Sequence, residues 1–366
     1  MITGRERLLA ALHNQKADHL PCQVHSWMPY YLDTYLGGCD QYAAYDRFGM
    51  DPVIYASPVY EYTEKALANW EVKTQESTDS DGNHIWKQTV TTPEGTLTQT
   101  SMGNQFTGWN TEHIIKTPED FELWQKYYPR PCRVDWTPVI EAKQRIGDRG
   151  IVRGSYYDFG QGSPWQSFSN VLFGTEEAIM ACFDDPDWVH YVLDCLLQRK
   201  LEAIETGGRQ EFDLVECGGG GGSSTVISPA LHREFCLPYD QKQIAALHDH
   251  GTMVVYHLCG GLMPLLETVV ENGADALETM TPPAMGGDCD LAEATRRVGK
   301  DLAFIGGFNQ NDGFERGNPE VIRQMVFDLH AACPDGGYIC SPSDHFFFGD
   351  PQNIDAFVNA CRECTY

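Results

Sequence analysis

The sequence predicts an α/β protein that folds as a (β/α)₈ TIM barrel with an antiparallel β-hairpin insertion. From about residue 138 onward, short apolar runs alternate with amphipathic stretches, as in the repeated βα units of a parallel sheet. The strand-like runs add up to eight, the number that closes a barrel. A chain of 366 residues exceeds the usual size of one domain unless that domain is a barrel, so we expect a single domain over residues 1–366.

Eight short, mainly apolar runs are the predicted parallel strands. Two of them lie near the N-terminus, and six follow in the repeating part of the chain. In chain order they are PCQVHSW (21–27), DPVIYAS (51–57), RGIVRGSYY (149–157), FDLVEC (212–217), GTMVVYHL (251–258), ADALETM (274–280), DLAFIGGF (301–308) and GGYICSPS (336–343).

Helix-like stretches separate the later strands. One begins at Ser228 with Pro229 in its first turn, and the others span 262–272, 291–298 and 319–332. Residues 71–105 differ, because polar and apolar residues alternate there and turn sequences such as Asp81-Gly82 interrupt them. We therefore expect an antiparallel hairpin inserted into the barrel rather than a second domain.

The overall charge excludes several classes of partner. The chain carries 52 acidic and 26 basic residues, a formal net charge of -26, which repels nucleic acid and anionic membranes. A small-molecule substrate fits better, and the oligomeric state stays open. The first residues are charged and polar and no window approaches 18 apolar residues, so we expect a soluble, cytoplasmic protein. Its 13 cysteines are then expected to be reduced, and the lone CxxC of Cys361 and Cys364 is a weak metal signal.

Polar residues that end the apolar runs are the candidate site residues, because a parallel barrel forms its site at the C-terminal strand ends. Some of them could supply a proton or hold the substrate, and others could contact it. For His25 a structural role is the alternative. The candidate catalytic groups are Glu216, Asp158 and Glu278, and the candidate substrate contacts are His25, Tyr156 and Asn309.

The sequence His257-Leu258-Cys259 is the strongest metal-binding signal. In an extended backbone, residues two apart project to the same side, so an imidazole and a thiol lie together at a strand mouth. The alternative is a core histidine beside a buried cysteine, although the following Gly260-Gly261 leaves room for a turn against a ligand. Such a set with one exchangeable position suits zinc acting as a Lewis acid. The third donor is expected from Cys340, Asp344 or His345, with Glu216 as a possible fourth.

Five consecutive glycines, Gly218 to Gly222, precede Ser223, Ser224 and Thr225. The glycines are continuous and no GxxxxGK[ST] lysine follows, so the run is not a nucleotide-binding motif. We expect either a loop at the barrel mouth that lets a substrate approach the backbone, or a flexible loop without contacts.

Several longer runs resemble the uroporphyrinogen decarboxylase superfamily. They are GRERLLAALHNQKADHLPC, IIKTPEDFELWQKY, YHLCGGLMPLLETVVENGADALETM, DLAFIGGFNQNDGFERGNPEVI and GGYICSPSDHFFFGDPQNIDAFVNACRE. The resemblance spans most of the chain and implies a distorted TIM barrel. True uroporphyrinogen decarboxylases carry an Arg-Gln-Ala-Gly-Arg-Tyr motif after the first strand, where its arginines meet the substrate carboxylates. Here that region reads HSWMPYYLDTYLGG, without an arginine.

The other branch of that superfamily, the cobalamin-dependent methyltransferases, is more similar to this chain. Its members bind zinc through a His-x-Cys pair and a later cysteine, and His257 and Cys259 match the first two positions. Where the later cysteine is expected, this chain has Ser343-Asp344-His345, and its nearest cysteine is Cys340. A harder third ligand would make the metal more electrophilic, which suits an oxygen-bearing substrate.

The resemblance implies an enzyme, a zinc-dependent methyltransferase. It would move a methyl group between a small methoxylated or methylamine-like compound and a corrinoid carried by a partner protein. One alternative is a decarboxylase of a tetrapyrrole or small acid, which shares the fold but not the metal. The other is a non-catalytic protein that binds a corrinoid or a partner.

Overall fold

A computed structural model describes residues 2–155 and 162–366. Tyr156 and Asp158, two of the predicted site residues, lie outside the described residues. The strands are β1 Val53–Tyr55, β2 Val59–Glu61, β3 Glu71–Thr78, β4 His84–Thr92, β5 Gly95–Gly103, β6 Gly108–Glu112, β7 Arg133–Asp135, β8 Ile151–Ser155, β9 Leu214–Gly218, β10 Met253–His257, β11 Ala276–Thr279, β12 Ala303–Phe308 and β13 Tyr338–Pro342.

The helices follow the strands in the expected alternation. They are α1 Gly4–Leu12, α2 Pro29–Tyr35, α3 Gln41–Phe48, α4 Glu64–Ala68, α5 Pro118–Tyr127, α6 Thr137–Ile146, α7 Pro164–Gln166, α8 Thr175–Asp184, α9 Pro186–Gly207, α10 Pro229–Phe235, α11 Leu237–Asp249, α12 Leu266–Asn272, α13 Leu291–Val298, α14 Pro319–Ala332 and α15 Pro351–Glu363. Within the described ranges, none of these helices is both long and apolar enough to cross a membrane.

The central sheet contains seven parallel strands in the order β1-β8-β9-β10-β11-β12-β13. A segment around Cys22 takes the eighth position through an isolated bridge to Cys340 of β13. Gln23 N donates to Cys340 O at 3.1 Å, and Asp51 N, just before β1, donates to Cys22 O at 3.1 Å. The segment thus lies between the last and first strands, and the predicted TIM-barrel class is confirmed. Residues 21–27 supply that position as a bridge and not as the regular strand we predicted.

The two ends of the barrel have different chemistry. Alternate residues near the N-terminal strand ends form an apolar interior cluster with Leu8, Ala11 and Leu12 of α1. A capping box stabilises the N-terminus of helix α1: Thr3 Oγ1 accepts from Glu6 N, and Glu6 Oε2 accepts from Thr3 N. The ends that α1 does not cover are the C-terminal strand ends, where the predicted site residues lie. The cluster members on the strands are Val53, Ile151, Leu214, Val255, Ala276, Ala303, Ile305 and Ile339.

The antiparallel insertion is larger than the predicted hairpin. Strands β3, β4, β5 and β6 form a four-stranded sheet that extends to Glu112. The last turn is stabilised by Asn104 Oδ1, which accepts from Phe106 N and Thr107 N at 2.9 and 3.1 Å. A second small antiparallel sheet, β2 with β7, was not predicted. The strands that were not predicted, β2, β6 and β7, are only three to five residues long.

The helix predictions hold with two differences, one at the start of α12 and one after Ser228. Helices α13 and α14 have the predicted ends, and α12 begins at Leu266 after a 3₁₀ turn. The stretch after Ser228 forms two helices, α10 and α11, that meet at Cys236. Pro238 lies in the first turn of α11 and has no N–H to continue α10, so a new helix begins there.

Candidate active site and metal centre

A buried arginine joins two glutamates at the C-terminal end of the barrel. Arg153 of β8 is fully buried, and its Nη1 donates to Glu278 Oε2 at 2.7 Å. Its Nη2 donates to Glu216 Oε2 at 2.5 Å and also to Glu278 Oε1. Burial acts to lower the pKa of Arg153, but Glu278, Tyr55 and Glu216 hold it well above its usual value. One guanidinium therefore ties β8 to β9 and β11.

Glu278 also orients the histidine of the predicted metal pair. His257 pairs with Glu278 in the β10–β11 register, and its Nδ1 donates to Glu278 Oε1 at 2.8 Å. Glu216 Oε1 is 3.6 Å from the same nitrogen, beyond hydrogen-bond distance. Burial acts to raise the pKa of Glu278, but Arg153 and His257 hold it well below its usual range. Glu278 is therefore a carboxylate that accepts from Arg153 and His257 together.

The other nitrogen of His257 faces Cys259, as the sequence predicted. Nε2 lies 2.7 Å from Cys259 Sγ, and Cys259 is partly exposed at the strand mouth. Burial acts to lower the pKa of His257, yet Cys259, Glu278 and Glu216 raise it well above its usual value. Of the alternative, a core histidine beside a buried cysteine, the structure shows a buried histidine but a partly exposed cysteine.

Two overlapping sets of side chains could hold a metal ion. Glu216, His257 and Glu278 each offer a ligand atom, and these atoms lie within 4.8 Å of one another. Arg153 already occupies the carboxylate oxygens of this set, so a cation there would meet a guanidinium. The second set, His257 Nε2 with Cys259 Sγ, has no arginine or lysine in contact among the described residues. Electrostatics favours the second set.

Two further histidines extend the site toward the mouth. The His25 ring centroid lies 5.5 Å from that of His257 and 5.0 Å from that of His345. Burial lowers the pKa of His25 to about 4, and burial also lowers the pKa of His345. Asp344 is exposed, and its Oδ1 accepts from His345 N at 2.7 Å. The structure thus places His25 beside His257 and His345 beside His25, and both Asp344 and His345 are exposed at the rim.

Cys340 of β13, one of the candidates for the third metal ligand, does not face the site. Its neighbour Ile339 belongs to the interior cluster, whereas Cys340 packs with Cys22 and Cys361 in the cluster between the barrel and its helices. Successive strand residues point to opposite faces, so Cys340 turns toward α15. Cys361 and Cys364 are buried in that same cluster. The prediction of Cys340 as a ligand is therefore corrected by the strand alternation.

Asn309, a predicted substrate contact, is engaged in the turn after β12. Its Oδ1 accepts from Asn311 N and Asp312 N at 3.1 and 3.2 Å, and its Nδ2 donates to Asp312 Oδ2 at 2.7 Å. These bonds use most of its hydrogen-bonding capacity. Asn309 shapes the turn, and a direct contact with substrate stays a prediction.

The glycine run forms an ordered loop beside the metal pair. Gly218 and Gly219 have φ of 95° and 139°, a backbone region that favours glycine. Gly219 N donates to His257 O at 2.8 Å, and Gly221 is fixed on both sides by Gln166 Oε1 and Trp165 Nε1. These hydrogen bonds hold the loop in a defined conformation, and its contact with a substrate stays a prediction.

Two features of the site were missed from the sequence. Tyr55 lies under Arg153, with its ring centroid 4.9 Å from Cζ, and its hydroxyl donates to Glu216 Oε2 at 3.4 Å. Phe106, at the tip of the insertion, packs against Tyr30 and Phe347 with ring centroids 4.9 and 5.2 Å apart. The antiparallel sheet therefore reaches the segment that follows His345. An arginine within the apolar run IVRGS was the available signal for the first feature.

Comparison with known proteins identifies the family. The family described as uroporphyrinogen decarboxylase (URO-D) matches residues 110–364, more than half of the chain. This chain belongs to that family. A uroporphyrinogen decarboxylase from Neisseria meningitidis serogroup C is 34% identical over 213 residues, 54% of each chain. One from Pseudomonas fluorescens is 27% identical over 221 residues, 56% of this chain and 58% of the relative.

The match to these relatives covers little more than half of their length. Among solved structures, a methyltransferase from Methanosarcina mazei superposes with a TM-score of 0.65 and covers 99% of both chains. The sequence identity is 14%, so this likeness shows a shared fold. The superfamily resemblance deduced from the sequence is confirmed.

Proposed function

We propose that this protein is a zinc-dependent methyltransferase that moves a methyl group between a small methylated substrate and a corrinoid carried by a partner protein. The observation that carries the proposal is the Glu278–His257–Cys259 arrangement, in which Nδ1 donates to a carboxylate and Nε2 faces a thiol. Histidines that ligate zinc commonly donate their other ring N–H to a carboxylate, which fixes the tautomer and the ring orientation.

The donor set fits zinc. Zinc is bound at about 2.0–2.1 Å by imidazole nitrogen and at about 2.3 Å by thiolate sulfur, which places the two donors about 3.5 Å apart in a tetrahedral site. His257 Nε2 and Cys259 Sγ are now 2.7 Å apart, so a small side-chain rotation is sufficient. His345, whose ring lies 5.0 Å from that of His25, is our candidate for a third ligand, with Asp344 beside it. A bound zinc would polarise the heteroatom that gains or loses the methyl group.

The other residues of the site have roles that follow from their contacts. Arg153 keeps Glu278 ionised, and Glu278 keeps His257 turned toward Cys259. His25 is neutral near pH 7, because burial lowers its pKa to about 4. It can therefore donate or accept a hydrogen bond at the substrate without carrying charge. Glu216 is a positioning residue for Arg153 in this scheme.

A second candidate is a decarboxylase, because the family and the relatives from Neisseria and Pseudomonas carry that name. A substrate with many carboxylates requires several cationic partners. Arg153 is already engaged by two glutamates, and neither the segment YYDFGQ (156–161) nor the region HSWMPYYLDTYLGG (25–38) contains a lysine or arginine. These observations favour the methyltransferase. A corrinoid-binding protein without catalysis is the remaining alternative.

Metal analysis of the purified protein, combined with a methyl-transfer assay, tests the proposal. We expect about one zinc per chain, lost in His257→Ala and Cys259→Ala and retained in Cys340→Ala, a buried cysteine that faces away from the site. Spectra of cob(I)alamin incubated with methoxylated and methylamine donors report methylation, and release of CO₂ from uroporphyrinogen reports decarboxylation. Decarboxylation by a zinc-free protein would overturn the proposal, and tight corrinoid binding without methylation would favour the non-catalytic alternative.

A further inference from the structure

A cavity of about 440 Å³ opens beside Cys259. The glycine loop after β9 forms one wall, and Thr225, Val226 and Gln166 contribute others. No charged side chain lines it among the described residues. The volume lies in the range of small-ligand pockets, which are typically about 300–1,000 Å³. A ligand in this cavity would contact the thiol of the metal pair directly.

Gly220 leaves the cavity open above the thiol. Its backbone is not in the left-handed region, unlike that of Gly218 and Gly219. A Cβ at Gly220 would lie 3.5 Å from Cys259 Cβ and 3.9 Å from Sγ, which is ordinary van der Waals contact. The backbone therefore does not require glycine at this position. What its missing side chain provides is free volume against Cys259.

Ser223 supplies an unused hydrogen-bonding group in the same wall. The residue is 1% exposed, and its Oγ has no hydrogen-bond partner among the described residues. A buried hydroxyl without a partner is unfavourable by about 1–3 kcal/mol, so a ligand atom that bonds to it is strongly favoured. Thr225 Oγ1, by contrast, already accepts from Gly261 N at 2.5 Å. The cavity thus offers one polar contact within uncharged walls.

We propose that this cavity is the subsite for the methylated substrate and that it selects an uncharged methyl ether over cationic methyl compounds. The inference deepens the proposed function and rests on it. The ether oxygen accepts from Ser223 Oγ, and the methyl group occupies the space between Gly220 and Cys259. An ammonium group would lose its hydration in this cavity without gaining an opposite charge, and the zinc of the proposed function would repel it.

Two probes of similar shape and different charge test the selection: 2-methoxyethanol and 2-methoxyethylammonium. Saturation-transfer NMR titrations measure binding to the full-length protein without cobalamin, at about 0.15 M salt, which screens attraction of the cation to the acidic surface. We expect the neutral ether to bind at least tenfold more tightly than the cation. Equal or tighter binding of the cation would overturn the inference.

Two glycine variants locate the subsite. Gly220→Ala adds a methyl group against Cys259, and we expect it to weaken binding of 2-methoxyethanol roughly tenfold, because a fitted site is overpacked. Gly222→Ala is the matched control, since its Cβ would meet His232 Nδ1 at 3.5 Å behind the loop, and it should bind like the parent. Equal effects of the two variants would place the probe elsewhere and refute the assignment.

Ser223→Ala tests the hydrogen bond. We expect this variant to bind 2-methoxyethanol roughly threefold to tenfold more weakly, which corresponds to the net contribution of one neutral hydrogen bond. Unchanged affinity in this variant would remove Ser223 from the site. Because these titrations need no methyl transfer, the two proposals can fail separately. Neutral selectivity without methylation of cob(I)alamin would reject the proposed function alone, and methylation with preference for a cationic donor would reject the subsite alone.

Discussion

Replacing Glu278 by glutamine separates the metal-positioning role of this residue from its role in stability. Glu278 Oε1 accepts from both His257 Nδ1 and Arg153 Nη2, and Oε2 accepts from Arg153 Nη1. In either orientation an amide turns its NH₂ group toward one of these donors. We expect E278Q to destabilise the fold by about 3–5 kcal/mol, as when one partner of a buried ion pair is removed. We also expect zinc affinity to fall roughly 10- to 100-fold, as when the carboxylate behind a ligating histidine is lost.

Glu216→Gln is the matched control for E278Q. Its Oε2 can still accept from Arg153 Nη2 and from Tyr55, and its other oxygen makes no hydrogen bond to His257. The loss of charge should reduce stability by about 1–3 kcal/mol, with little change in zinc affinity. Urea unfolding gives the stability, and competition with a chromophoric chelator gives the zinc dissociation constant. Equal loss of zinc affinity in the two variants, or none in E278Q, would refute the positioning role of Glu278.

Two further predictions concern groups away from the metal pair. Burial raises the pKa of Asp240 to about 7, although the hydrogen bond from Tyr256 and the charge of Lys200 oppose this shift. The contribution of Asp240 to stability is therefore complete below about pH 4 and is lost as the pH rises through 7. Relative to the parent, Asp240→Asn should gain up to about 1.4 kcal/mol of stability per pH unit between pH 5 and 7, measured by urea unfolding. Parallel pH profiles would contradict this. Cys340→Ala should retain stoichiometric zinc and lose about 1–2 kcal/mol of stability through its small cavity, whereas zinc loss there would restore Cys340 as a ligand.

The regular part of the fold was predictable because its signals are local. Each βα unit buries an apolar strand and ends its helix at a recognisable residue; Gly273 after α12, for example, adopts a left-handed conformation. The four-stranded insertion was underestimated because β6 is short and mostly exposed, so its sequence shows little alternation. At the eighth barrel position we predicted a regular strand, but the segment at Cys22 pairs at one bridge only. Pairing of that kind depends on neighbouring strands and not on local sequence.

The site was predictable where position in a strand decides the contact. His257 and Cys259 meet because they are two residues apart at a strand end. The same rule, applied along β13, could have excluded Cys340, since the apolar Ile339 and Cys340 cannot face one side together. Arg153 contacts Glu216 and Glu278, which lie 63 and 125 residues away from it in the sequence. Only the strand order of the barrel brings these three residues together.

The buried charges of this site are better explained by positioning than by stability. Arg153, Glu216 and Glu278 are nearly inaccessible to water, and desolvating three charges consumes most of the energy that their attraction returns. Apolar residues of similar volume would fill the same space at no electrostatic penalty. What apolar residues could not do is hold the imidazole of His257 through Nδ1 while leaving Nε2 directed at Cys259. Because Arg153 is bonded to carboxylates on two different strands, it fixes Glu278 in place before any ligand arrives.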